Sequence, residues 1–265
     1  SKFYLNDKCF SIIPKDKFKD DINTKYLYYK LKNIESEINE LQSEGGVPTI
    51  NTNKVSSLNI PIPPLPIQQE IVNILDKFTQ LEEDLQAELE SRRTQYEFYL
   101  NQLMEFEGGE VEWKILGEIV NIQKGVRVVR NQLLENGKYP VYQNSMKPLG
   151  YFEKYNYKAN TTFIISAGAA GDVGYSDVDF WAADDCFLCI CPDYLKSKFL
   201  YYVLLFNQTY LNSRVRRASV PRLSRDAIAK IFIPIPPLSE QERIVSILDK
   251  LMQGASSMSI TEINY

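Results

Sequence analysis

One stretch of nineteen residues occurs twice in this chain, and this repeat limits the possible folds more than any other feature. IPIPPLPIQQEIVNILDKF runs from Ile60 to Phe78, and IPIPPLSEQERIVSILDKL runs from Ile233 to Leu251, 173 positions later. Upstream, KYLYYKL (25–31) and KFLYYVL (198–204) match at the same offset. Because this period is much longer than that of a solenoid, the repeat predicts two domain-sized units.

Each copy predicts the same order of elements. A strand (CFSIIP from Cys9, CFLCICP from Cys186) precedes a helix, a loop with Val47-Pro48 or Val220-Pro221, and a short helix. An Ile-Pro-Ile-Pro-Pro segment follows, and it must be extended because proline fixes φ and removes the N–H donor. A long helix ends the copy. Short apolar alternations between residues 113 and 192 predict a mixed sheet, so the fold class is α+β.

The first long helix predicts a rod. Its apolar residues recur at spacings of three and four from Ile71 to Leu103, and roughly 33 residues span about 50 Å. This length favours a spacer between two bodies, ended by Glu107-Gly108-Gly109. A second chain is then expected to cover the seam at Leu85, Leu89, Tyr96, Tyr99 and Leu103. The alternative is an amphipathic helix that lies on its own domain.

Charge is segregated along the chain, although the net charge is only −4. Residues 70–112 carry twelve carboxylates and three cationic side chains, and residues 196–230 carry eight cationic side chains and one carboxylate. Such segregation concentrates positive potential on one part of a molecule. The net charge therefore does not exclude a nucleic-acid partner.

Chemistry that needs histidine is excluded, because the chain contains none. CFLCIC (186–191) resembles half of a zinc site, but it lacks a second cysteine pair and favours a strand buried on both faces. SAGAAGDVG (166–174) lacks the Gly-Lys-Ser/Thr ending of a phosphate loop. Its amides could approach a phosphate, or it forms a tight hairpin turn around Gly171. We predict no catalytic residue, no metal site and no cofactor.

The basic segment NSRVRRASVPRLSRDAIAK (212–230) is the first candidate for DNA binding. Guanidinium groups bind phosphates or the guanine edge, and hydroxyl groups and helix N-termini bind phosphate oxygens. The candidate residues are Arg214, Arg216, Arg217, Ser219, Arg222, Ser224 and Arg225. The alternative is a solvated basic face paired with the acidic rod.

A second polar cluster lies further upstream, in IQKGVRVVRNQ and YPVYQNSMKPLGYF. Asparagine and glutamine amides near aromatic rings suit adenine edges in the major groove. The candidate residues are Lys124, Arg127, Arg130, Gln143, Asn144 and Lys147, with Tyr142 and Tyr151 beside them.

Together these motifs make the chain resemble the DNA-specificity subunit of a type I restriction-modification system. GEVEWKILGEI opens one recognition domain, FIISAGAAGDVGY lies inside it, and IPIPPLxxQxxIVxILDK closes each unit. The resemblance implies a non-catalytic protein with two target-recognition domains, each followed by a conserved helix. It also implies that the helices form an antiparallel coiled coil, that the domains read the halves of a bipartite DNA site, and that methyltransferase subunits dock beside them.

On this resemblance we expect four regions. Residues 1–58 are the C-terminal part of a first recognition domain, 59–109 a spacer helix, 110–232 a second recognition domain, and 233–265 a shortened second helix. Most of the first sheet and the end of the second helix have no counterpart, which predicts a truncated or partial subunit. A second copy of this chain, bound through the helices, and a restriction subunit are further expected partners.

Two other classes of protein stay open on the sequence alone. One is a small DNA-modifying or DNA-cleaving enzyme with unrecognised motifs, and the other is a coiled-coil adaptor whose basic loop binds an acidic protein. Since no stretch approaches eighteen apolar residues and no signal pattern starts the chain, we expect a cytoplasmic protein without a membrane partner.

Overall fold

A computed structural model describes residues 9–43, 49–106 and 111–259 of the chain. The chain divides into two compact units, unit 1 with residues 1–88 and unit 2 with residues 89–265. The division falls inside the longest helix. None of the helices among the described residues is both long and apolar enough to span a bilayer.

Unit 1 is built from helices. After a 3-10 turn at Asp16–Phe18 come α1 (Thr24–Asn33), α2 (Glu35–Glu40), α3 (Thr52–Val55) and the first part of α4 (Leu65–Met104). The strand predicted from Cys9 is wrong, because residues 9–13 are irregular. A strand needs a neighbour for its backbone N–H and C=O groups, and the described residues of unit 1 contain none.

Unit 2 contains all the named strands of the described chain, and it confirms the α+β prediction. In chain order, its elements after α4 are β1 (Glu112–Ile115), α5 (Leu116–Ile119), β2 (Asn121–Lys124), β3 (Tyr139–Tyr142), β4 (Gly150–Phe152), β5 (Thr161–Ile165), β6 (Val173–Ser176), β7 (Trp181–Ala182), β8 (Cys186–Ile190), α6 (Ser197–Phe206), α7 (Gln208–Ser213), α8 (Arg225–Ala229), β9 (Phe232–Ile235) and α9 (Leu238–Ser259). A 3-10 turn at Arg130–Gln132 lies between β2 and β3.

The strands form three small sheets. The largest has the order β2-β8-β5-β6 and is antiparallel, while β4-β3-β7 is mixed because β3 and β7 run parallel. The third sheet pairs β1 with β9. β8 is an inner strand in which Cys186, Leu188 and Cys189 are fully buried, as predicted from CFLCIC. The main apolar core lies between this sheet and α6, and it includes Phe199 and Leu200.

The end of α4 belongs to the core of unit 2, which corrects the prediction of a rod that is a spacer throughout. Leu100 and Met104 are only 8% and 2% exposed, and Tyr96 and Leu103 pack beside them. The periodicity showed the seam correctly, but it could not show what the seam packs against. α4 ends at Met104, and Glu107-Gly108-Gly109 lies outside the described residues.

Within unit 2, the end of α4 lies close to α9 and to the segment before it. Tyr96 lies close enough to Asp249 that the carboxylate contributes to the raised pKa of the phenol, after burial as the larger cause. Met104, two turns further on, lines a small cleft with Phe232 and Pro234, just before α9 begins. α9 itself continues to Ser259 and has 22 residues, whereas α4 has 40.

The repeat reappears in the helix boundaries and in a buried glutamine. α1 and α6, α2 and α7, and α4 and α9 each begin 173 positions apart. In unit 1, Gln68 accepts from the N–H of Asn23 at 2.9 Å and donates to the carbonyl oxygens of Asp21 and Pro63 at 2.8 and 2.6 Å. This glutamine therefore ties the start of α4 to the start of α1.

Gln241 makes the same three hydrogen bonds in unit 2. It accepts from the N–H of Lys196 at 2.8 Å and donates to the carbonyl oxygens of Tyr194 and Pro236 at 3.0 and 2.8 Å. Both glutamines are fully buried. A lysine–aspartate–tyrosine group is also repeated, as Lys25, Asp76 and Tyr29 in unit 1 and as Lys198, Asp249 and Tyr202 in unit 2.

Candidate nucleic-acid interface

The arginines predicted to bind DNA lie on a hairpin that we call the arginine hairpin (residues 214–225). The N–H of Arg216 donates to the carbonyl of Arg222 at 2.8 Å, and the N–H of Arg222 donates back at 3.1 Å. Arg217 and Ser219 are therefore held at an exposed tip. Arg214 precedes the hairpin bonds, with its guanidinium carbon 4.9 Å from the centre of the Tyr210 ring.

All five arginines of this hairpin are exposed, and among the described residues none of them forms a salt bridge. Within the part of unit 2 that the structure describes, these guanidinium groups are therefore accessible to an anionic partner. Ser224 has a structural role that the sequence did not reveal. Its hydroxyl oxygen accepts from the N–H of Ala227 at 3.2 Å and caps α8, of which Arg225 is the first residue.

Lys124, Arg127 and Arg130 are exposed on a second segment, the Lys124 segment (residues 124–130). Gly125 allows this segment to lie against the junction of β7 and β8, because a Cβ there would lie 2.1 Å from the carbonyl oxygen of Ala183. The N–H of Gly125 donates to Cys186 at 3.0 Å. The backbone on either side of the glycine is thus held beside that junction.

The Asn144 loop (residues 143–147) leaves the end of β3. Asn144 and Lys147 are exposed, whereas Gln143 is half-buried and its amide lies 3.4 Å from a carboxylate oxygen of Asp185. The expected aromatic neighbour Tyr142 faces the other way. It packs on the rings of Phe163 and Phe180, with ring centres 5.0 and 5.9 Å away, and burial raises the pKa of its phenol. Tyr142 is therefore half-buried against the core, and Tyr151, on β4, stays exposed.

A third segment, the glycine turn (residues 166–172), joins these loops. It is the β5–β6 hairpin turn, with Gly168 at φ 83° and Gly171 at φ 98°, so the hairpin alternative is confirmed. The N–H of Gly168 donates to Pro221 at 3.2 Å, and that of Ala169 donates to Asn144 at 2.9 Å. These amides are engaged within the protein, which argues against the phosphate-loop alternative.

The same junction of β7 and β8 also binds the Asn144 loop. The N–H of Ala183 donates to Tyr142 at 2.8 Å, and the thiol of Cys186 lies 3.3 Å from the carbonyl oxygen of Gln143. Burial raises the pKa of the Cys186 thiol to about 12, so it stays protonated. No cluster within the described ranges has the three acidic, thiol or imidazole groups that a metal ion needs.

The arginine hairpin, the Asn144 loop and the Lys124 segment therefore meet around the glycine turn and the β7–β8 junction. Sequence reasoning found the three segments but not their meeting, and it missed Asp184 and Asp185, which are half-buried at that junction. A carboxylate in the middle of a basic surface can accept from the N4 amino group of cytosine. In the sequence, the adjacent aspartates between two predicted strands could have indicated this part of the site.

The chain matches the family described as type I restriction modification DNA specificity domain, over residues 1–91 and 109–264. The chain belongs to this family. The resemblance noted from the sequence is confirmed, and the two matched segments correspond to the two copies of the repeat.

Relatives in this family include the EcoR124I/EcoR124II specificity subunit of Escherichia coli. It is 32% identical, over 92% of this chain and 67% of that subunit. A putative type I specificity subunit of Haemophilus influenzae is 31% identical, over 97% of this chain and 71% of its own length. Among solved structures, the S subunit from M. genitalium superposes with a TM-score of 0.69 at 23% identity, covering 91% of this chain and 70% of that one. This structural likeness concerns the fold.

Proposed function

We propose that this chain is a non-catalytic DNA-specificity subunit of a type I restriction-modification complex. The observation that carries the proposal is that three polar segments are held in unit 2 by the glycine turn and the β7–β8 junction, which are themselves joined by the hydrogen bond from the N–H of Ser166 to Asp185. Exposed guanidinium groups there can bind phosphates, and amides and carboxylates beside them can contact base edges. Membership of the specificity family supports the same assignment.

The proposal assigns a role to each part of the chain. Residues 110–232 form a target-recognition domain, residues 1–58 the C-terminal part of another, and the helical regions 59–109 and 233–265 separate them. The chain then reads one or both halves of a bipartite site. Phosphates are bound by the cationic and hydroxyl side chains of Lys124, Arg127, Arg130, Lys147, Arg214, Arg216, Arg217, Ser219, Arg222, Ser224 and Arg225, and bases by the amides of Gln143 and Asn144.

The helices are proposed as the assembly surface. Phe78, Leu81, Leu85 and Leu89 follow one another along α4 and are between 37% and 64% exposed. Large exposed apolar surfaces are typical of interaction sites. We propose that a methyltransferase subunit or a second copy of this chain covers them, and that methylation and cleavage belong to partner subunits in the cytoplasm.

The arginine hairpin provides the direct test. Replacing Arg214, Arg216 and Arg217 together with Ala should flatten the salt dependence of binding to a random-sequence duplex. The log–log slope should fall by roughly 0.9 for each phosphate contact that is lost. Titrations at several salt concentrations, followed by fluorescence anisotropy, measure this slope.

A matched control removes three other positive charges from unit 2, at Lys138, Lys154 and Lys158, which are also exposed. An equal fall in slope for both variants would mean that only net charge matters, and an unchanged slope for the arginine variant would place the hairpin away from DNA. Incubating the chain alone with DNA, Mg²⁺ and S-adenosylmethionine tests the enzyme alternative. Cleavage or methylation by the chain alone would contradict the non-catalytic assignment.

A further inference from the structure

Gly168 lies between the two loops that carry the proposed base-reading and phosphate-binding residues. Its N–H donates to the carbonyl of Pro221 in the arginine hairpin at 3.2 Å, and the next amide, of Ala169, donates to the carbonyl of Asn144 at 2.9 Å. Arg222 and Leu223 are tied to the same turn, the former by a bridge to Ala167 and the latter through Ser166. One turn therefore holds both loops.

The backbone at this point requires glycine for two independent reasons. Its φ of 83° lies in the left-handed region, which side chains disfavour. A Cβ at Gly168 would also lie 2.8 Å from the carbonyl oxygen and 2.9 Å from the Cβ of Asn144. Any side chain here must therefore move Asn144 or the turn, and it would do so without removing a polar group from the surface.

Asn144 is the residue whose position this contact sets. Its backbone carbonyl accepts from Ala169, the neighbour of the glycine that donates to Pro221 of the arginine hairpin, and its side chain is exposed. A side-chain amide carries both a donor and an acceptor, so it can bind the N7 and N6 positions of adenine at the same time. These two hydrogen bonds form together only when the amide is placed accurately relative to the phosphates that orient the DNA.

We propose that Gly168 is a positioning residue that sets the Asn144 amide against an adenine edge, in register with phosphates held by the arginine hairpin. This inference rests on the proposed DNA-reading function. Asn144 is then specificity-determining, and Gly168 acts through it. Without the close approach at Gly168, the hairpin still binds phosphates but Asn144 loses its base.

The test selects duplexes from a random-sequence pool with the full-length chain and its variants. The wild type should enrich a motif, and Asn144→Ala should lose about 10-fold of discrimination at one adenine-containing base pair. Gly168→Ala should weaken the preference at that same base pair while the salt slope of binding stays unchanged. The double variant should lose no more than Asn144→Ala alone, because both changes remove one interaction.

Gly171→Ala is the matched control. Gly171 has a similar φ of 98° in the same turn, but a Cβ there would meet the side chains of Asn212 and Val215, not Asn144. This variant should keep the preference at the Asn144 base pair. Equal loss from Gly168→Ala and Gly171→Ala would reduce the role of Gly168 to general turn stability and would overturn the proposal.

A second measurement needs no variant of the protein. Replacing adenine with 7-deazaadenine at the identified base pair of the enriched duplex removes the N7 acceptor, and wild-type binding should weaken several-fold. Unchanged binding, or loss by Asn144→Ala and Gly168→Ala at different base pairs, would overturn the inference while leaving DNA binding intact. A wild-type chain that binds no duplex even at low salt would instead refute the proposed function.

Discussion

The two copies of the repeat share a scaffold and differ in what the scaffold carries. Gln68 and Gln241 make the same three hydrogen bonds, and the helices around them begin at equivalent positions. The hairpin bond is repeated too, since the N–H of Ser43 donates to Thr49 at 2.9 Å as that of Arg216 donates to Arg222. The hydrogen bonds of the buried glutamines are therefore the same in both copies, although the exposed side chains of the two hairpins differ.

The copies also differ in how one groove is filled. In unit 1 a groove of about 230 Å³ is open, and it is lined by Tyr26, Tyr29, Lys30, Asn33, Ile71 and Leu75. The equivalent positions in unit 2 include Phe199, Tyr202, Val203, Ile244 and Leu248, all of them in the main core. There Leu100 and Met104, at the end of α4, complete the cluster. A helix end thus covers in one copy the surface that lies open in the other.

The largest expected effect concerns the exposed seam of α4. Replacing Leu85 and Leu89 with Asp should abolish association with a second chain, because each buried leucine contributes about 1.5 to 3 kcal/mol. Unit 2 should stay folded, since its core contains neither residue. Sedimentation velocity, with and without the methyltransferase subunit, measures the loss, and near-ultraviolet circular dichroism follows unit 2.

Gln86→Asp with Ala87→Asp is the control, because these neighbouring exposed residues add the same charge off the seam. This variant should assemble like the wild type. A wild-type chain that sediments as a monomer with Leu85 and Leu89 already protected would show that the seam needs no second chain.

The next effect tests whether the two glutamines are equivalent. Gln241→Ala leaves one N–H and two carbonyl groups, one of them in a buried hydrogen bond, without their partner, which should cost on the order of 3 kcal/mol. Gln68→Ala should have a similar effect in unit 1. Hydrogen exchange at the amides of Lys196 and Asn23, which donate to the two glutamines, reports each site separately.

Each variant should speed exchange only in its own unit, and the exposed Gln80→Ala should change stability by less than about 0.5 kcal/mol. Slow exchange at Asn23 in the Gln68→Ala variant would mean that the hydrogen bonds of Gln68 contribute little to the stability of unit 1.

The sequence predicted the repeated helices because their boundaries depend on nearby residues. Helix boundaries depend on periodicity and on the prolines before α4 and α9, which can be read within about twenty residues. Charge segregation correctly indicated the exposed arginines of unit 2. The strand expected at Cys9 failed because strands depend on partners elsewhere in the chain, which a single segment does not reveal.

The meeting of the three segments could not be predicted for a related reason. Asn144, Gly168 and Pro221 are far apart in the sequence and come together through the pairing of β3, β5 and β8 with their neighbours. Tyr142 was assigned to the interface because alternation along a strand does not say which face is the core. The end of α4 was assigned to a free rod because an apolar seam in the sequence does not show which part of the protein packs against it.

The smallest expected effect concerns the loop chemistry that separates the copies. Arg216 and Arg222 correspond to Ser43 and Thr49, so the wild-type second unit should dominate protection of DNA from hydroxyl radicals. Val47-Pro48 of the first loop lies outside the described residues. Introducing Ser43→Arg and Thr49→Arg keeps the backbone bond between the two positions and should steepen the salt dependence by up to roughly 0.9 for each new phosphate contact.

The neutral pair Ser43→Gln and Thr49→Gln controls for side-chain length, because it lengthens both side chains without adding charge. It should leave the salt slope and the footprint unchanged, whereas the arginine pair should add protection only where the first unit approaches DNA. Equal protection by both units of the wild type would contradict the difference between the copies. A graft that changes neither slope nor footprint would show that the first hairpin, despite its shared frame, does not face the duplex.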